Sequence, residues 1–104
     1  MNELNIYANY NYRRLIKNAN RQLNNSRLER RTVFAPKNKG YSIAIYKYNI
    51  HIVYDNLEGL QIVKQFVENN IKNKEVVLQY KNNSDDIVNS IRQKNTILKE
   101  RYNE

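Results

Sequence analysis

Residues 41–54, YSIAIYKYNIHIVY, decide how the chain folds. Read as one straight strand, they would put Ile43 and Ile45 on one side and Ile50 and Ile52 on the other, which a sheet with a single buried face cannot accommodate. Folded back around Lys47-Tyr48, they pair Ile45 with Ile50, Ile43 with Ile52 and Tyr41 with Tyr54 on one face. Ala44 with His51 and Ser42 with Val53 then share the other face. An antiparallel hairpin is therefore expected, although its turn lacks the glycine that such turns favour.

Working outward, Thr32 to Ala35 reads as a short strand closed by Pro36, and Lys37-Asn38-Lys39-Gly40 as a loop, which completes a three-stranded antiparallel meander. Before it, residues 11–25 read as a basic amphipathic helix. At ~100° per residue, Tyr12, Leu15, Ile16, Ala19 and Leu23 share one sector while Arg13, Arg14, Lys17 and Arg21 gather on the far side. Asn9 or Asn11 is placed to cap it. Residues 1–10, ahead of the helix, are read as an N-terminal segment open to flexibility. Past Asn24-Asn25-Ser26 the phase breaks, which implies a turn and a basic connector.

On the other side of the hairpin, Asp55 with Glu58 forms a variant capping box, and Leu60, Val63, Phe66, Val67 and Ile71 continue a helix. Residues 75–80 alternate Val76, Leu78 and Tyr80 with Val77 and Gln79, as one more strand does. Ser84 then caps a last helix with Asp85 and Asp86 in its first turn and Ile87, Ile91, Leu98 and Tyr102 on one face. The expected fold is α+β, one small domain over residues 1–104. Its order is an N-terminal basic helix, an antiparallel three-stranded meander, a helix, one further strand and a C-terminal helix.

The chain has 18 Lys and Arg against 10 Asp and Glu, a net charge of +8. Asn, Lys, Ile and Tyr share A/T-rich codons, and a low-GC gene inflates Lys and Asn without selection for function, so this excess counts only if it is organised. Residues 1–40 carry a net +7 and the remaining 64 residues +1, and six of the eight arginines lie in the first part. Codon drift favours Lys and spreads it evenly, so the asymmetry points to a polyanionic partner. Arg forks match phosphate oxygens. Arg13, Arg14, Lys17, Arg21, Arg27, Arg30, Arg31, Lys37 and Lys39 are the candidate backbone contacts, with Tyr7 and Tyr10 as rings on which unstacked bases could lie.

With no cysteine, disulfides, thiolate metal sites and Cys nucleophiles are excluded. The longest apolar run, Ile43 to Tyr46, falls far short of the ~18 residues of a membrane span, and no leader pattern opens the chain. An unprocessed, soluble, cytoplasmic protein is expected, in the host cytoplasm if its source is viral, with no membrane partner. The only glycines are Gly40 and Gly59, so there is no phosphate loop or nucleophile elbow, and a single histidine rules out a His cluster. Asp85-Asp86 is what a helix N-terminus favours anyway. No catalytic residue, metal ligand or cofactor is expected, and a homodimer is left open.

Three functions compete. The first is a non-enzymatic accessory protein, of a phage or mobile element, that binds nucleic acid or a ribonucleoprotein through the Arg-rich N-terminal surface. The second is an inhibitor of a host defence nuclease acting by protein–protein contact, because Tyr and Arg also suit interface hot spots. In size, composition and lack of a catalytic motif the chain resembles small orphan proteins of phages and mobile elements, anti-CRISPR inhibitors among them. The third is a metal-independent ribonuclease with His51 as base beside Tyr46 or Tyr48 and an Arg on the phosphate. The segment from Tyr46-Lys47-Tyr48 to Tyr54 resembles the hairpin of small basic toxins that cleave messenger RNA, over about a dozen residues.

Overall fold

Leu4, Ile6 and Ala8 alternate with Asn5 and Tyr7, and in the computed structural model this stretch is strand β1 (Asn2–Ala8), with Leu4 and Ile6 fully buried. The structure describes residues 2–23, 28–30, 33–36, 39–81 and 85–102. After β1 come α1 (Tyr12–Gln22), β2 (Leu28–Arg30), β3 (Val33–Phe34), β4 (Tyr41–Ile45), β5 (Asn49–Tyr54), α2 (Leu57–Asn70), β6 (Glu75–Lys81), α3 (Asp85–Lys94) and β7 (Thr96–Tyr102). They form one sheet in the order β2-β3-β4-β5-β1-β6-β7. Five strands, β3-β4-β5-β1-β6, make a continuous antiparallel core; β2 extends one edge and β7, parallel to β6, the other.

The class is α+β, but the expected order is wrong. The chain opens with a strand, not a helix, and residues 2–8 are not a flexible lead-in. They are a central strand, bonded to β5 on one side and β6 on the other. Both pairings are antiparallel, so β5 and β6 run the same way and need a crossover, which the 14-residue α2 supplies. β1 fills the gap between them. Within the basic connector, Leu28–Arg30 form a strand, β2, which pairs with β3.

The last helix is half as long as its apolar spacing implied, because Asn95 stops it. Its side-chain amide donates to the carbonyls of Ile91 (3.1 Å) and Ile71 (2.6 Å), and its Oδ1 accepts from the Lys74 N–H (2.8 Å). The Ile91 carbonyl in the last turn of α3 and the carbonyl of Ile71, which ends α2, are thereby satisfied. Leu98 and Tyr102 fall in β7 instead.

The β4–β5 register is the one the apolar pattern dictates: Ile45 opposite Ile50, Ile43 opposite Ile52, Tyr41 opposite Tyr54. These residues, with Leu4, Ile6, Val76 and Leu78, give the sheet one apolar face. α1, α2 and α3 cover it with Leu15, Ala19, Val63, Phe66, Val67, Ile87, Val88 and Ile91, forming one hydrophobic core. The opposite face carries Asn5, Asn49, His51 and Gln79, all part-exposed. Such one-sided covering is what a polar/apolar alternation in antiparallel strands produces.

Both glycines serve the same junction. Asn56, not Asp55, caps α2, its Oδ1 accepting from the Gly59 N–H at 2.7 Å. A Cβ on Gly59 would lie 2.2 Å from the Gly40 carbonyl oxygen, and Gly40 itself has φ +71° with the Asn56 side chain against it. Gly59→Ala is expected to destabilise the fold by about 3 kcal/mol, since the obstructing atom is backbone. A urea melt reads this directly, and an unchanged midpoint would contradict the contact.

Candidate functional site

Asn11 caps α1, accepting from the Arg14 N–H at 3.0 Å, and Leu15, Ala19 and Leu23 fix its apolar side in the core. That orientation leaves Arg13, Arg14, Lys17 and Arg21 exposed along one side of the helix, within a sector of ~100°. Arg21 donates to the neutral Asn18 amide oxygen at 2.8 Å. Among the described residues, no carboxylate pairs with any of the four.

Helix stability does not favour this arrangement. Arg13 and Arg14 occupy the first turn, where the helix dipole repels cations, and no acid accompanies them. Arg13, Lys17 and Arg21 repeat at i, i+4, a spacing at which like charges repel. The first turns of the other helices carry acids instead, although α1 shares with α3 a cation in its last turn, Arg21. α2 has Glu58 in its first turn, and α3 has Asp85 and Asp86 there with Arg92 and Lys94 in its last.

A groove of about 970 Å³ opens at the end of the sheet where α1 begins. Tyr7, Tyr10 and Tyr12 from the β1–α1 junction form part of it, with Lys47 and Tyr48 from the β4–β5 turn and Lys74 from the loop before β6. Asn73, in the left-handed conformation at φ 61° that Asn tolerates, donates its N–H to the Lys94 carbonyl at 3.0 Å and so positions that loop.

The two tyrosines singled out from sequence play different parts. Tyr10 donates its O–H to the Tyr46 carbonyl, which ties α1's approach to the hairpin turn, and burial pushes its hydroxyl up to about 12. Tyr7 is 39% exposed and donates to Gln79 Oε1 at 3.2 Å. Tyr48 is 72% exposed, with Lys47 Nζ 5.4 Å from its ring centroid.

On the uncovered face of the sheet, Glu3 Oε1 lies 3.1 Å from His51 Nε2 and Glu3 Oε2 3.1 Å from Lys81 Nζ. These hydrogen bonds, to Lys81 and then to His51, hold the Glu3 carboxyl below the usual carboxylate range. The hydrogen-bond partner of His51 is thus Glu3, not Tyr46 or Tyr48. Among the described residues, no group of three His, Cys, Asp or Glu side chains is placed to hold a metal ion, and no helix is long and apolar enough to cross a membrane.

No family model, curated protein or solved structure matches the chain. The site therefore stands on its own residues. Of those nominated from sequence, Arg13, Arg14, Lys17 and Arg21 share one face of α1, and Tyr7 and Tyr10 share the groove at its start. Lys39 does not join them, because it pairs with Glu58 at the start of α2 at 3.0 Å. Arg30 lies in β2, while Arg27, Arg31 and Lys37 lie outside the described residues. Lys47, Tyr48 and Lys74 were not among the nominated contacts; they come from separate turns, and only the closure of the sheet brings them to Tyr7.

Proposed function

We propose that this protein is a non-enzymatic accessory protein that binds nucleic acid through the cationic face of α1, as such proteins of phages and mobile elements would. One observation carries this reading: Arg13, Arg14, Lys17 and Arg21 stand exposed and without a carboxylate partner among the described residues, with Arg13 and Arg14 in a first turn that disfavours cations. Such a cost, ~0.3–1 kcal/mol for each misplaced first-turn cation, is offset when a phosphate chain supplies the missing anions. The contacts available are to the backbone. They set affinity and register without reading sequence.

Random-sequence oligonucleotides test this by fluorescence anisotropy. With four phosphates neutralised, log K should fall with log salt at a slope of about −2.8 for single strands and −3.6 for duplex. Affinity then drops about 50- to 150-fold between 50 and 200 mM salt. No binding at 50 mM overturns the reading and turns attention to a protein partner for the same face.

A further inference from the structure

We infer that the groove beside α1 selects single strands, by seating unstacked bases on the rings of Tyr48 and Tyr7; this rests on the nucleic-acid reading above. The rings are available in different ways. Tyr48 projects from the β4–β5 turn at 72% exposure, and Tyr7 is held at the groove wall by its bond to Gln79 with 39% of its surface open. Tyr10 is excluded from this role because its hydroxyl is bonded to the Tyr46 carbonyl and its ring is part-buried.

Charge and shape both favour an extruded strand. Lys47 lies over the Tyr48 ring and Lys74, whose Nζ is 3.4 Å from the Asn9 carbonyl, stands on the opposite wall, against one carboxylate, Glu75, among the lining residues. Tyr12, the first residue of α1, also lines the groove, next in sequence to Arg13 and Arg14. At about 970 Å³ the groove has the volume of a small-ligand site, suited to a short run of nucleotides. A duplex keeps its base faces stacked inward and offers the rings nothing. Stacking on an aromatic ring is indifferent to sequence, since every base has a π-face, so the expected ligand is single-stranded DNA or RNA of any sequence.

The test uses the full chain and one random 12-nucleotide sequence as single-stranded DNA, single-stranded RNA and DNA duplex, each fluorescently labelled, at 100 mM salt. Both single strands should bind more tightly than the duplex. Tyr48→Ala should weaken both about fivefold to a hundredfold and leave the duplex unchanged, while Tyr48→Phe, which keeps the ring, should retain wild-type affinity. Tyr7→Ala gives a second reading at the other ring and should weaken single strands in the same sense. Preference for one of the two single strands identifies the sugar that the groove accepts and still supports the inference. Equal affinity for strand and duplex, with Tyr48→Ala neutral, overturns it while leaving the phosphate contacts standing. Absence of binding to all three overturns the underlying reading as well.

Discussion

Replacing Leu4 and Ile6 together by Ala should leave the chain largely unfolded at 25 °C. Both side chains are fully buried, Leu4 opposite Ile52 and Tyr80 and Ile6 opposite Ile50 and Leu78, in the strand that joins the two halves of the sheet. Each Leu or Ile→Ala change in a core costs ~2–5 kcal/mol, and two on the same face of one strand need not add linearly. Even so, the combined loss approaches the ~5–15 kcal/mol that holds a domain of this size together. Circular dichroism against urea reads the outcome, with each single variant shifted to a lower midpoint. Midpoints that match the wild type would mean that β1 is not the central strand. Tyr48→Ala is the control, because an exposed turn residue should change stability by no more than ~0.5 kcal/mol.

The second large effect lies in binding. Changing Arg13, Arg14, Lys17 and Arg21 to Gln should cost about a thousandfold in affinity for nucleic acid at 0.15 M salt, the loss expected for four phosphate contacts on a duplex. Stability should hold, or rise slightly. Gln matches Arg and Lys in helix propensity, and the substitutions remove the like-charge spacings and the first-turn cations. A loss of binding with an intact melt would separate recognition from folding. A loss of both would place these residues in the fold instead.

How far the sequence discloses this molecule depends on how local each signal is. The hairpin is legible because Ile43, Ile45, Ile50 and Ile52 lie close together, and one register alone buries all four. α1 is legible for the same reason, its stripe and its basic side both lying within 11 residues. β1 carries the right alternation, Leu4, Ile6 and Ala8 against Asn5 and Tyr7, but its partners are 42 to 78 positions away and leave no local trace. β7 misleads more actively. Leu98 and Tyr102 continue the helical spacing of Ile87 and Ile91, and only the Asn95 amide, bonded to two carbonyls, shows that the helix stops first.

The candidate site divides along the same line. The cations of α1 follow from a single helix and were visible as a pattern, whereas the groove is assembled from the β1–α1 junction, one hairpin turn and one loop. Tyr7 was visible as an aromatic near arginines. Lys47, Tyr48 and Lys74 acquire their place only once β1 sits between β5 and β6.

Measuring the salt slope of oligonucleotide binding for the wild type and for the four-Gln variant, side by side, goes directly to the cationic face of α1. The variant's slope should be shallower by about 3 to 4 on a duplex, one lost counterion for nearly every cation removed. Identical slopes in the two proteins would show that phosphates are met elsewhere on the molecule.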